Sequence, residues 1–165
     1  MIDIVDPATR SRMMAGIRGK DTQPEMALRR ALHARGFRYR LHANWIPGRP
    51  DMLFPKFNAV VFVHGCFWHR HQGCRYATTP ATRAEFWQSK FTANVARDDN
   101  VRGTLLRAGW RVATVWQCAL RKADQVAAVA ELMKVWLPSD NMLLSIGEIE
   151  VPPKLVRIRS GHSRQ

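Results

Sequence analysis

The chain has 165 residues, 46% of them hydrophobic and six of them tryptophan, enough for one ordinary domain to bury a core without disulfide staples. Lysine and arginine number 26 against 13 acids, a net charge of +13 carried mostly by arginine, whose planar fork suits phosphates and guanine edges. That balance points to a nucleic-acid partner. A membrane role is disfavoured, because no apolar run approaches ~20 residues and no strongly basic amphipathic helix stands out. The polar, acidic start MIDIVDPATR does not read as a signal peptide, so a cytoplasmic protein is expected. An odd cysteine count of three fits a reducing compartment in which thiols bind metal or stay free.

Asp6-Pro7 supplies an N-cap acid and a proline at the first helical position, which predicts a helix to about Arg18, ending at Gly19. Its Met14 reads more readily as core than as a side chain entering a ligand. Thr22 and Glu25 have capping-box spacing, predicting a second helix from Pro24 to Arg35 that stops at Gly36. Phe37 to Leu41 alternates as a strand with one wet, basic face. A turn-rich Trp45 to Pro50 delivers Asp51 to a strand at Met52-Leu53-Phe54, and Ala59 to Val63 reads as a buried strand. Thr82 and Glu85 repeat the capping spacing ahead of a long helix, Arg83 to Ala108, closed by Gly109. A strand at Trp110 to Trp116 and a helix at Asp124 to Trp136 follow. Beyond Ser139 only Met142 to Ile146 suggests a further short element, and residues 139–165 read as a basic, mobile tail behind a domain of residues 1–138. The order implies a single-domain α/β fold, a mixed sheet flanked by helices, with ligand sites at strand ends.

After Val63 the composition changes abruptly to HGCFWHRHQGC. Cys66, His71 and Cys74, with Cys118 just past the end of a strand that can neighbour this one, make a Cys3His set of the kind that holds a structural zinc. The alternative is three buried thiols acting as small hydrophobes. Asp51, an acid at a strand edge, stands one strand before His64 and His69, which the cysteines do not need. In a strongly basic chain that combination suits Mg²⁺-assisted phosphodiester hydrolysis, the histidines activating or orienting water. Glu25 and Asp98 are the acids expected behind the histidines, or else are solvated helix acids. Phe67 and Trp68 lie on a glycine-flanked loop, and Trp87, Lys90, Asn94 and Asp98 share one face of the long helix. Aromatic, lysine and asparagine side chains so aligned suggest stacking on bases and reading of their edges, with either Trp87 or Phe86 in the core.

The segments ATRSRMM, PGRPD, VHGCFWHRH, PATRAEFW, NVARD, GWRV and VWQCALR resemble the very-short-patch repair (Vsr) mismatch endonucleases of the PD-(D/E)XK nuclease superfamily. The resemblance implies a restriction-endonuclease-like core with a structural zinc, its third strand carrying Phe62-Val63-His64 in place of E-x-K. It implies a monomeric, cytoplasmic, nucleoid-associated enzyme, with other repair proteins as possible partners, that nicks duplex DNA 5′ to the thymine of a T·G mismatch left by deamination of 5-methylcytosine. Mg²⁺, expected as two ions, would be held by Asp51 and the Val63 carbonyl. The family pattern has threonine at Val63, and Gly73 is an extra residue in the zinc loop. His69 would activate water with support from Glu25, while His64 and Asp98 form the supporting pair. Cys66, His71, Cys74 and Cys118 would hold zinc. Phe67, Trp68 and Trp87 would enter beside the mismatch from the major groove, with Met14, on the helix of residues 6–19, as a DNA-contacting arm in the minor groove. The alternative reading is a non-catalytic zinc module that binds distorted DNA.

Overall fold

The computed structural model describes residues 6–17 and 19–148. Asp6 accepts the backbone N–H groups of Ala8 at 3.0 Å and Thr9 at 2.9 Å, and so starts α1, Pro7–Ala15. The helix ends at Gly16, whose N–H donates to Arg12, three residues before the expected stop at Gly19. None of its side chains is buried, and without a packed face nothing supports a further turn. α2, Gln23–Ala34, begins where predicted, the Thr22 N–H donating to the Glu25 carboxylate at 3.3 Å.

The strand expected over Phe37 to Leu41 is reduced to β1, Arg40–Leu41. Phe37 and Tyr39 still turn inward against the core, and the Tyr39 hydroxyl donates to the Arg29 carbonyl, so the alternation is real although only its end joins the ladder. β2, Met52–Phe54, and β3, Ala59–His64, form a hairpin, Met52 opposite Val61 and Phe54 opposite Ala59. α3, Ala84–Arg107, crosses over to β4, Arg111–Trp116. β4 runs parallel to β3 with six residues in register, from Ala59 opposite Arg111 to His64 opposite Trp116. After α4, Ala123–Trp136, the chain returns as β5, Leu143–Ile146, parallel to β4. The domain therefore extends past the expected boundary at 138. The remainder of the expected tail, 149–165, lies outside the described residues.

The result is a five-stranded mixed sheet in the order β1-β2-β3-β4-β5, antiparallel on one side and parallel on the other. Leu28 and Leu32 of α2 and Val129, Ala130 and Met133 of α4 pack on one face, over Met52, Phe54, Val61, Ala113 and Val115. Leu53, Val60, Phe62 and Val112 point to the other face, where Leu105 of α3 covers them. Strand alternation assigns Asp51, His64, Thr114 and Trp116 to this second face, beyond the edge of the packed core.

Arg111 joins the layers. It is 8% exposed, and its guanidinium donates to the carbonyls of Leu137 and Trp136 at 2.7 Å each and of Asn141 at 3.0 Å. It also lies 4.2 Å over the Trp136 ring. The orphan carbonyls at the end of α4 are thus satisfied by one buried cation, which fixes the path into β5.

Candidate active site

The parallel register of β3 and β4 decides what meets at the edge of the sheet. His64 is paired with Trp116, so Cys66 and Cys118, two residues further along each chain, emerge side by side. His71 Nδ1 lies 3.7 Å from the Cys66 sulfur and 3.4 Å from the Cys118 sulfur. Cys74 completes a set of four ligand atoms within 4.8 Å of one another. Bonds of about 2.0–2.3 Å to a tetrahedral ion would give ligand separations close to these, so the donor set fits zinc. Burial pushes the Cys118 thiol up to about 12, reinforced by Cys66, and raises Cys66 as well. Desolvation lowers His71, which favours the neutral imidazole that a metal needs. The His71 ring stacks on Trp116, centroids 4.2 Å apart.

Trp116 also meets the His64 ring at 5.4 Å, and His64 in turn stacks on His69, with centroids 3.9 Å apart and planes 8° from parallel. Burial, then the neighbouring His69, pushes His64 down to about 3, so it is neutral at physiological pH. His69 Nδ1 meets Asp98 Oδ2 at 2.6 Å. Burial pushes the Asp98 carboxyl up, but its bond to His69 and the charges around it hold it below the ordinary value. With Nδ1 tied to Asp98, Nε2 is the nitrogen left to act as a base. His64, His69 and Asp98 bring their ligand atoms within 4.8 Å of one another.

Asp51 stands apart from that trio. Its Oδ2 accepts the Val63 N–H at 2.6 Å, across the hairpin. Burial raises its carboxyl to about 6, with a smaller push from the Glu25 charge, although the Val63 bond pulls the other way. Glu25 is 2% exposed and is paired with Arg29 of its own helix. The Arg29 guanidinium also reaches Asp21 at 2.7 Å and His42 Nε2 at 2.8 Å. Glu25 therefore lies behind Asp51, within an Asp21, Arg29 and His42 network, and Asp98 holds the position behind His69 that the resemblance implied for Glu25. His42, Arg29 and Trp116 carry no signal in the sequence that marks them for this site. Only the strand register could have singled out Trp116, and His42, in a left-handed turn at φ 45°, falls in no periodic pattern.

The shared face of α3 is present, with altered roles. Phe67 packs on Trp87 at 5.5 Å and on Phe91 at 5.1 Å, and Trp68 packs on Trp87 at 5.9 Å. Trp87 is only 8% exposed, so it backs the other rings and is not itself positioned to enter DNA, while Phe86 is 45% exposed. The Asn94 amide donates to the Trp68 carbonyl at 3.1 Å and its oxygen accepts from Arg97, so Asn94 fastens the loop where base-edge reading was expected. Lys90 lies 5.6 Å over the Trp68 ring, its side chain exposed. Met14 is half-buried on a helix with no buried residue, against the core placement favoured by sequence.

The folded Asp51 carboxyl, at about 6, lies above its ordinary 3.8, so burial of this acid favours the fold below pH ~4, and that advantage is lost as pH rises through 6. The difference corresponds to ~3 kcal/mol. Asp51→Asn, without divalent ions, should melt several degrees above wild type at pH 8, with the gap closing below pH ~4. Equal melting temperatures at both pH values would refute the account.

The family described as "DNA mismatch endonuclease Vsr" matches residues 2–75. The chain is 46% identical over 139 residues to the type II nicking enzyme V.XorIIP of Xanthomonas oryzae pv. oryzae, an alignment spanning 84% of this chain and all of that one. It is 41% identical over 139 residues to the DNA mismatch endonuclease Vsr of Escherichia coli (strain K12), covering 83% of this chain and 88% of the relative. The type II nicking enzyme V.NmeAIP of Neisseria meningitidis is 39% identical over 121 residues, 73% of this chain and 86% of its own length. With identity at this level over most of the length of each relative, the chain belongs to the Vsr family of DNA mismatch endonucleases.

Proposed function

We propose that this chain is a DNA endonuclease that nicks one strand of a duplex 5′ to the thymine of a T·G mismatch, by Mg²⁺-assisted hydrolysis. The observation that carries the hydrolytic reading is the His69–Asp98 pair, stacked on a neutral His64 and lining the same cleft as the half-buried Asp51. Two kinds of relative, a mismatch endonuclease and nicking enzymes, support the substrate and the single-strand cut. Asp51 and the Val63 carbonyl would hold Mg²⁺, a hard ion suited to one carboxylate, a carbonyl, waters and phosphate oxygens. Bound there, the ion would act as a Lewis acid on the phosphoryl oxygen. His69 Nε2 takes a proton from the attacking water, while Asp98 fixes its tautomer and stabilises the imidazolium that forms. His64, uncharged, keeps the His69 ring in position without competing for the proton. Asp51→Ala should abolish nicking of a T·G duplex in Mg²⁺ while leaving duplex binding intact, and unchanged nicking would overturn the assignment. Wild-type protein that binds T·G duplexes yet cuts none, in Mg²⁺ or Mn²⁺, would favour a non-catalytic binding module.

The Cys66, His71, Cys74 and Cys118 set would hold a structural zinc, its four ligands leaving no position for water. Metal analysis of the purified protein should give one zinc per chain, and removal by a strong chelator should lower the melting temperature. A folded, metal-free protein of unchanged stability would refute the site.

Phe67 and Trp68, braced by Trp87 and Phe91, would wedge beside the mismatch, and Met14 on α1 would contact the opposite groove. Trp68→Ala should reduce the preference for T·G over paired DNA about tenfold or more, with little change in salt-sensitive general binding. Equal losses on both duplexes would count against the wedge.

A further inference from the structure

The cleft bordered by Asp51, His64, His69 and Asp98 has a volume of about 840 Å³, and four arginines line it: Arg49, Arg70, Arg97 and Arg102. Three are engaged within the protein. Arg70 donates to the Thr78 carbonyl at 2.8 Å and the Thr79 hydroxyl at 3.0 Å and lies 4.2 Å from the Phe91 ring centroid. Arg97 donates to Asn94 at 2.9 Å, and Arg102 pairs with Asp99 at 2.6 Å. Among the described residues the exposed Arg49 side chain has no hydrogen bond, ion pair or ring contact.

Its backbone, in contrast, is firmly fixed. Gly48 has φ +78°, and a Cβ there would come within 2.3 Å of Val101 Cγ1 and 3.2 Å of Phe62 Cζ, so the turn is pressed against α3 and β3. Arg49 itself is left-handed at φ 50°, its N–H donating to the Ile46 carbonyl at 3.0 Å, and Pro50 is buried behind it. A non-glycine residue held in this region is costly, persists only where its surroundings impose it, and concentrates at functional sites. The turn therefore presents an unpartnered guanidinium on a rigid mount two residues from Asp51, and two residues span at most about 7 Å of backbone.

We propose that Arg49 binds a non-bridging oxygen of the backbone phosphate next to the scissile one, on the strand that is cut. The assignment rests on the hydrolytic reading above. A planar fork on a fixed turn aligns the strand with the catalytic edge, and a charge held close to the reacting phosphate counters the charge gathered there in the transition state.

The test is single-turnover nicking of a T·G duplex in Mg²⁺. Arg49→Ala should cut about 100-fold more slowly. Arg49→Lys should recover part of the loss, because charge returns without the fork. Melting temperatures should match wild type, and the slope of log binding constant against log salt should fall by about one for Arg49→Ala. Each phosphate flanking the scissile bond is then replaced in turn by a neutral methylphosphonate. At one flank wild type should slow as much as Arg49→Ala does on normal DNA, and Arg49→Ala should slow no further. Cutting by Arg49→Ala at the wild-type rate, or wild type indifferent to both methylphosphonates, overturns the proposal while leaving the hydrolytic reading standing. A wild-type protein that cuts no T·G duplex overturns both.

Discussion

The parallel pairing of β3 with β4, in register to the last residue of each strand, is the constraint on which the rest of this molecule depends. Because His64 lies opposite Trp116, the Trp116 indole contacts two histidines, His64 in a T-shaped arrangement at 5.4 Å and His71 stacked at 4.2 Å. The cysteines two residues further on meet just past the ends of both strands, Cys66 in a turn and Cys118 in the short 3-10 helix Gln117–Leu120. A slip of one residue would turn His64 toward the α2 and α4 face and separate the sulfurs in the same step. Register is fixed in turn by burial on both faces, since Val60 and Val112 are needed under α3 while Val61 and Ala113 are needed under the other helices. The geometry of the site is thus a consequence of core packing several residues away.

Within that frame the charges are set against one another. Asp51 is buried where its ionised form is disfavoured, and the Glu25 charge adds to the penalty; Arg29 and His42 offset part of it. A carboxyl in that state gains from a nearby cation, so the metal ion proposed for Asp51 would draw on the same burial that raises its pKa. His64 is the complementary case, a base kept neutral by burial so that it can stack on His69 without repulsion. Near neutral pH the cost in stability falls on Asp51, whose ionised form is the one that burial disfavours, whereas His64 is largely uncharged in the unfolded chain as well.

What was legible in the sequence followed from local chemistry. The capping acids at Asp6 and Glu25, glycine after α2 and α3, and β-branched runs for β3 and β4 each act over a few residues, and these elements lie close to where they were expected. The Cys66, His71, Cys74 and Cys118 grouping was legible too, since spacing and the strand ends suffice for it. Partners across elements were not. Glu25 and Asp98 are both helix acids pointing inward, and only the packing of α2 and α3 on opposite sides of the sheet decides which one reaches His69. Asn94 looked like a base reader because its helical face is correct, but the carbonyl it meets belongs to a loop whose path no periodicity encodes. β5 was half-hidden because Leu143 and Ser145, on an edge strand, are both exposed and leave a weak apolar pattern.

That loop path joins the two ends of the proposed chemistry. Residues 67 to 69 run along α3 in the same direction as the helix: Phe67 rests on Trp87 and Phe91, the Trp68 carbonyl is held by Asn94, and His69 is held by Asp98. Each step along the loop meets roughly the next turn of the helix, and the contacts together span about 16 Å from Trp87 to Asp98. Arg70, left-handed at φ 53°, ends the run and returns to Phe91. A ring proposed to enter DNA and a base proposed to activate water are therefore consecutive residues clamped to one rigid helix. Under that reading a shift of Trp68 on meeting a distorted base pair displaces His69 directly, so recognition and hydrolysis need no separate moving part to be coupled.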